Sequence, residues 1–382
     1  MADDDPHDPT GSTDGPPPSD AAADAGPRVS GLRMPCGGCG AMLAYLPGST
    51  MLHCAHCGRE TPIEEVAPAG AERDLQATLA RLADAQTTVE VQTVSCASCG
   101  ASVTISTNVA AQACPFCGTH LNVVMQTTRL IKPGSILPFG IARDAAEAAF
   151  RKWIAGLWFA PNSLKREAWE SQHLRGIYLP YWTYDAATAS QYTGQRGDDY
   201  TVTVGSGKNR RTERRTRWRS VSGRVSRRFD DVLIAATGSL PRKHLDALTP
   251  WDLEHLVGYD DRFVAGFAAE AYQTEVDKAF AEAQAHMRNV IEVDVRHDIG
   301  GDHQRILSLD TDWWDLTFKH VLLPVWVSAY RYRGRNFLFL VNARTGEVRG
   351  DRPWSWIKIL LAVAGGLAAA AAIVAGVVAV KG

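Results

Sequence analysis

The chain has 382 residues, 45% of them hydrophobic and 21% charged, with 40 Lys and Arg against 42 Asp and Glu and a formal net charge of −2. This excludes a chain disordered throughout and provides apolar mass for at least one full core and about two or three structural units. The small net charge averages an acidic start, an arginine-dense middle and an uncharged end, so it says nothing about partners.

Residues 1–29 read as a disordered acidic arm. The first 27 carry seven Asp and no Lys or Arg, and no apolar stretch of the kind a secretory signal needs lies among them.

All eight cysteines follow in four CxxC pairs: Cys36 with Cys39, Cys54 with Cys57, Cys96 with Cys99, and Cys114 with Cys117. Adding 60 to each number of the first set produces the second, so the chain holds an internal duplication. In each set 14 residues separate the pairs, close to the spacing of four-cysteine zinc sites. Two intervening residues let a tight turn aim both sulfurs at one point, and two such knuckles supply four thiolates at about 2.3 Å from the metal. Glycine follows each second cysteine, at Gly40, Gly58, Gly100 and Gly118, where positive φ is often required. The expectation is two zinc ribbons, at 30–64 and 91–126, each holding one structural zinc ion. Four protein ligands close the coordination sphere and leave no place for a substrate water. The same ligands would also hold iron in a rubredoxin-type site, and a redox CxxC is the remaining reading. His53 and His56 flank the first ribbon's second knuckle, where they read as surface residues rather than ligands.

Neither ribbon is basic: 91–128 contains no Lys, Arg, Asp or Glu, and the first ribbon's charges are chiefly Arg33, Arg59 and Glu60. Nucleic-acid affinity rests largely on phosphate neutralisation, so such ribbons suit a protein contact better. Between them, Leu75, Leu79 and Leu82 at helical spacing predict a short helix within a linker at 65–90.

Residues 127–353 predict an α+β domain. Helices are expected at 144–157, at 163–172, after Thr249 (with Pro250 at its first position and Asp252 beyond the cap), and at 263–295, where Tyr272, Val276, Phe280, Ala283, Met287 and Ile291 form a stripe. Strands are expected at 178–191, 200–205, 217–236 and 303–310, and in the pair "LLPVWVSAYRYRG" and "RNFLFLVNARTGEVRG", with "NARTGEVRG" as strand, turn, strand. "YLPYWTY" at Tyr178 echoes "LLPVWVS" at Leu322 and hints at a duplicated strand motif.

The run 208–228 holds ten Lys or Arg against one Glu: Lys208, Arg210, Arg211, Arg214, Arg215, Arg217, Arg219, Arg224, Arg227 and Arg228, with Trp218 among them. It reads as a solvated hairpin, an anionic-lipid contact or a nucleic-acid contact, with lipid ahead of nucleic acid because hardly any linker separates the end of this domain, at Pro353, from an apolar span.

That span, Ile359 to Val380, is 22 residues without a charge, about 33 Å of helix against a hydrocarbon core of about 30 Å. Residues 354–382 therefore predict a single-pass transmembrane anchor. Trp354 and Trp356 suit the interfacial belt, and Arg344, Arg349, Arg352 and Lys358 before the span outnumber Lys381 after it, which places the N-terminal bulk in the cytoplasm. Gly365 with Ala369, and Ala372 with Gly376, would let two such helices approach as a homo-oligomer.

No catalytic set is visible. "GSGKN" at 205–209 lacks the leading Gly and the Ser or Thr of a Walker A loop, HExxH and GxSxG are missing, and Asp230 and Asp231 after the arginine run read as ion-pair partners. The tandem ribbons, "WFAPNSLKREAWESQHLRGIYLPYWTYDAATASQYTGQRGDDY", "RWRSVSGRVSRRFDDVL" and the C-terminal helix resemble a family of bacterial proteins often labelled primosomal replication helicase-related or TFIIB-type zinc-ribbon proteins. The resemblance covers about residues 30–382. It implies zinc at the eight cysteines and a membrane-anchored protein in membrane-associated assemblies. The helicase label implies ATP-driven strand separation, for which this chain has neither a Walker motif nor a motor. The expected function is thus a non-enzymatic membrane-anchored adaptor, with a membrane-tethered nucleic-acid binder as the alternative.

Overall fold

The structure, a computed structural model, describes residues 34–81, 88–97, 101–104, 114, 116, 119, 125–161, 163–164, 174–207, 210–332 and 335–381. The predicted acidic arm, the body of the predicted helix at 163–172, Cys99, Cys117 and Lys208 lie outside the described residues.

The first unit is a three-stranded antiparallel sheet of β1 (Leu43–Tyr45), β2 (Met51–Cys54) and β3 (Glu60–Pro62). It is no free-standing bead. Leu43, Tyr45 and Leu52 belong to one buried cluster with Phe139, Phe263 and Phe267, and the Tyr45 amide donates to the carbonyl of Ala265 (2.9 Å). A sheet this small cannot bury its own apolar face, so it borrows the larger core.

The predicted linker at 65–90 holds the expected short helix and also contacts to the larger domain. Pro68 bridges Val257, the Gly70 amide donates to Ser135 Oγ (2.9 Å), and β4 (Arg73–Asp74) pairs with a long strand before α1 (Leu75–Arg81) begins. Then come β5 (Thr88–Ser95), β6 (Ser102–Thr104) and β7 (Met125–Ile131), with β5 between the other two, and the short β8 (Ser135–Ile136). The strands around the second cysteine set thereby belong to the main sheet.

The bulk of the chain is a β-rich domain. α2 (Arg143–Gly156) leads to β9 (Arg175–Val204), which turns at Gly205 into β10 (Arg211–Ala235). After α3 (Arg242–Asp246), a short 3-10 turn at Leu253–His255, β11 (Val257–Gly258) and α4 (Asp261–Val264) come β12 (Ala268–Glu270) and α5 (Val276–Ile299). β13 (His303–Tyr332) turns back as β14 (Arg335–Asn342), followed by β15 (Val348–Gly350) and α6 (Trp356–Lys381). The separate strands expected at 178–191 and 200–205 are one strand of 30 residues, and "NARTGEVRG" does turn from β14 into β15.

The helix expected at 263–295 is two helices with a strand between them. Gly266 takes a φ of 84° that breaks the run, and Ala268 and Ala269 pair in parallel with Ile177 and Tyr178 of β9. Backbone pairing with β9 on one side and β6 on the other outweighs the helical pattern there, and α5 starts only at Val276. Its buried stripe, Val276, Ala279, Ala283, Met287, Ile291, Val295 and Ile299, lies on the arm made by β10, β9 and β13.

The echo of seven residues marks a duplication of the whole core. β9 and β13 run antiparallel with Leu179 opposite Leu323, so the motif pairs with its own copy. β12 lies beside Ile177 and Tyr178 as β8 lies beside Val321 and Leu322. The Ala236 amide donates to Pro180 (2.9 Å) as Ala343 donates to Pro324 (3.1 Å). Trp182 Nε1 donates to Thr274 O (2.9 Å) as Trp326 Nε1 donates to Ile141 O (3.1 Å). Each half is a short strand, a helix, a long strand and a returning strand, related by a local two-fold axis at Leu179 and Leu323. The halves differ in the return: β10 has 25 residues and β14 has 8, so a long arm forms on one side, where β10 and β9 run beside the first part of β13.

Candidate metal centre

β1 and β2 pair with Leu43 opposite Cys54, so the turn entering β1 and the turn leaving β2 stand at one end of a hairpin. Those turns are the Cys36 and Cys54 knuckles. In each, the glycine amide returns to the first cysteine, Gly40 N to Cys36 O and Gly58 N to Cys54 O, both 2.9 Å. The φ values, 73° at Gly40 and 72° at Gly58, are left-handed, which is why glycine stands there.

The result is a four-sulfur cluster whose Sγ atoms all lie within 4.8 Å of one another. Cys36 Sγ is 3.5 Å from Cys57 Sγ, and Cys39 Sγ is 3.6 Å from Cys54 Sγ. A tetrahedron with metal–sulfur bonds of about 2.3 Å sets sulfurs about 3.8 Å apart, so the donor set fits a tetrahedral ion. The backbone already favours thiolate: the amides of Gly38 and Cys39 hold Cys36 at about 6, and those of Cys57 and His56 lower Cys54. Cys39 moves the other way, to about 12, because the Ala41 amide, which lowers it, is outweighed by burial and the sulfurs of Cys54, Cys57 and Cys36. Sulfurs this close cannot all ionise without a cation between them.

In the second set Cys96 and Cys114 are described, and both are buried. Their backbone repeats the first set: Cys96 N donates to Ala101 O (2.8 Å) as Cys36 N donates to Ala41 O (2.7 Å), and Cys114 N donates to Thr119 O (2.8 Å) as Cys54 N donates to Arg59 O (2.9 Å).

The basic run forms β10 and the turn before it. Arg210, Arg211, Arg214, Arg215, Arg217, Arg219, Arg224, Arg227 and Arg228 are all exposed, yet many are paired within the chain. Arg214 meets Asp199 (2.5 Å), Arg215 meets Glu213 (3.2 Å), Arg227 meets Asp294 of α5 (2.5 Å) and Arg228 meets Asp315 (3.3 Å). Trp218 is half-buried, with the Arg305 guanidinium 4.0 Å from its ring.

Of the two aspartates after this run, Asp231 pairs with Lys319 (3.1 Å), not with an arginine. Asp230 joins Glu72 and Asp185 in an acidic cluster. Burial, and next the proton shared with Glu72, push Asp185 up to about 7, while Glu72 falls to about 2. Thr317 Oγ1 donates to Glu72 (2.7 Å) and Lys319 meets it at 3.2 Å, so the chain's own groups close the cluster.

Sequence reasoning missed one feature altogether. A cavity of about 60 Å³ lies between β7, β12 and β13, lined by apolar residues with His320, Glu270 and Lys132. That is room for about two water molecules. His320 Nδ1 donates to the carbonyl of Ile131 (2.8 Å), while its Nε2 and Glu270 Oε2 have no partner within the described residues. No sequence signal marks a lone His and Glu 50 positions apart; pairing of β12 and β13 with β9 makes them neighbours of one cavity.

Burial pushes the His320 pKa down to about 4, below its unfolded value of about 6.5. The two states bind protons alike above pH 6.5. Between pH 6.5 and 4 only the unfolded chain gains the proton, so stability falls by about 3 kcal/mol across that window and levels off below it. Denaturant unfolding of the wild type and a His320→Gln variant at each pH should show the variant losing less over that interval; parallel curves would show that His320 does not charge on unfolding.

Among the described residues, α6 is the helix long and apolar enough to cross a membrane, over Trp356–Ile373, and none of that stretch is buried against the rest of the chain. Of the cations before it, Arg344 forms an ion pair with Asp252 (2.6 Å) and is mostly buried. Arg349 is paired with Glu347 (2.7 Å), so the excess on that side rests on Arg352 and Lys358.

No family model matches the chain, and no solved structure matches it. The chain is similar to uncharacterized protein YdjG of Bacillus subtilis (strain 168), at 24% identity over 230 residues. The match spans 60% of this chain and 66% of that protein, just under two thirds of its length.

Proposed function

We propose that the chain is a non-enzymatic, single-pass membrane adaptor. α6 anchors it with the N-terminal bulk in the cytoplasm, and each cysteine set holds one structural zinc ion. The closure of Cys36, Cys39, Cys54 and Cys57 carries this reading: four protein thiolates leave a metal no open position for substrate, while Gly37, Gly38, His56 and Arg59 at the knuckle tips face solvent. An exposed, nearly uncharged surface on a rigid knob suits a protein partner. The same architecture is what the tandem-ribbon family resemblance implies.

The test is cross-linking in native membranes followed by recovery of the chain. A His56→Asp, Arg59→Asp double variant alters the knuckle surface without touching a sulfur. It is expected to keep its metal and lose its cross-linked partner. Recovery of the same proteins would refute an adaptor role for the first ribbon.

A second reading, a membrane-tethered nucleic-acid binder, draws on the exposed arginines of β10. The arm's tip lies about 80 Å along β9 from Leu179, at about 3.3 Å per residue, and α6 starts beyond the other end of that strand. This distance favours a partner away from the bilayer over a lipid contact for the arm. If nucleic acid binds there, neutralising Arg214, Arg215, Arg217 and Arg219 should flatten the slope of log affinity against log salt by up to about 0.9 for each phosphate that an arginine no longer neutralises. Absence of binding at low salt would eliminate this reading.

A further inference from the structure

The loop that closes α2 exposes two large aromatic side chains that the core leaves aside: Trp158 is 78% and Phe159 36% accessible, while Leu157 and Ala160 on either side are buried. Burial of the flanking residues fixes the loop's backbone, so the aromatics are held outward.

The loop is tied to the first turn of α6. Lys358 Nζ donates to the carbonyls of Trp158 (3.1 Å) and Ala160 (2.8 Å), and the Ser355 amide donates to Phe159 O (2.8 Å). The Phe159 and Trp354 rings lie 6.5 Å apart, and the Arg352 guanidinium stands 4.6 Å from the Trp354 ring. Trp354 and Trp356 are themselves 53% and 76% exposed. Four outward aromatics and two cations thus ring the point where the apolar helix begins, although two of the aromatics come from a loop some 200 residues earlier in the chain.

From this arrangement we infer that the 157–160 loop is a second membrane contact, with Trp158 and Phe159 seated in the headgroup region of the bilayer that α6 enters. The inference rests on α6 spanning a membrane. The occupant is a lipid interface because Trp at a membrane boundary keeps its ring among acyl chains and its N–H toward water, and because Lys358, bound to the loop's carbonyls, places the loop at the depth of the first helical turn. A single helix leaves the domain free to swivel about its axis. A loop contact on one side of that axis removes this freedom and sets which face of the domain, and so which direction of the arm, points away from the membrane.

The experiment uses the full-length chain in phosphatidylcholine vesicles with bromine placed near the headgroup or deep in the acyl chains. Subtracting the emission of a Trp158→Phe variant from that of the wild type isolates Trp158, and Trp356→Phe isolates a depth standard in the first turn of α6. The Trp158 signal is expected to be blue-shifted, to lose most of its intensity to shallow bromines, and to lose less to deep ones, in parallel with Trp356. If the chain floats with the vesicles and Trp356 is quenched while the Trp158 signal is red-shifted and indifferent to bromine, the loop contact is wrong and the anchor stands. Failure of the chain to float overturns the anchor and the loop contact together.

Discussion

Replacing Cys54 with serine is expected to remove one equivalent of metal and unfold the first ribbon. Cys54 is fully buried at the end of β2, opposite Leu43, so its sulfur joins the knuckles to the hairpin. A four-thiolate zinc site contributes about 10–16 kcal/mol at neutral pH in small ribbons, and most of that is folding free energy. Three thiolates left within 4.8 Å of one another would then repel instead of coordinating. Because Leu43, Tyr45 and Leu52 fill the same cluster as Phe139, Phe263 and Phe267, loss of the ribbon should uncover apolar surface on the β-rich domain. A lowered melting temperature and increased dye binding should accompany the metal loss. A His56→Ala variant should retain all of its metal, since four sulfurs already complete the set. Elemental analysis of the two purified proteins decides the matter: unchanged metal in Cys54→Ser, or loss in His56→Ala, contradicts the assigned ligands.

The second large effect is expected at the centre of the duplicated core. Trp182 is fully buried, donates to Thr274 O and meets the rings of Tyr272, Phe318 and His320 at 5.0, 5.8 and 4.6 Å. Truncation to alanine leaves a ring-sized cavity and an unpartnered carbonyl, worth about 3–5 kcal/mol. Trp326 makes the equivalent bond to Ile141 O and packs against Phe139 and Phe267 at 5.1 and 5.9 Å, so Trp326→Ala should cost about as much. Both bonds pin the start of a helix, α5 or α2, to the long strand of the other half. Denaturant unfolding in detergent should therefore show two similar shifts of midpoint, whereas a large loss at one site and none at the other would mean that the two-fold is not carried into the energetics. His320 touches Trp182, so this comparison belongs above pH 6.5, where the histidine is neutral in both states.

The cysteine knuckles were legible because their rule is local. Four sulfurs reach one point whenever two short turns stand at one end of a hairpin, and the spacing with its glycines encodes those turns. The apolar span was legible for a similar reason, since length and the lack of charge are properties of a segment alone. The expected ion pairing of Asp230 and Asp231 was right only in kind: Asp231 found Lys319, 88 positions away, and Asp230 joined Glu72 and Asp185. Lys319 faces them only because β13 and β9 pair in one register, and pattern within a segment says nothing about register between strands.

By itself the sequence determined the four-cysteine set of the first ribbon, the apolar tail, the stripe that buries α5 and the basic character of one strand, because each depends on residues close to one another in the chain. Only the tertiary structure decided that the second ribbon's strands belong to the main sheet and that a seven-residue echo marks a two-fold duplicated core. It also decided that 268–270 is a strand and not helix, and that Phe159 stands beside Trp354 at the root of the tail. In each of these the deciding partner is far along the chain. Backbone pairing between strands satisfies donors and acceptors that no local pattern can satisfy, so strand pairing, and not the periodicity, set the outcome at 268–270.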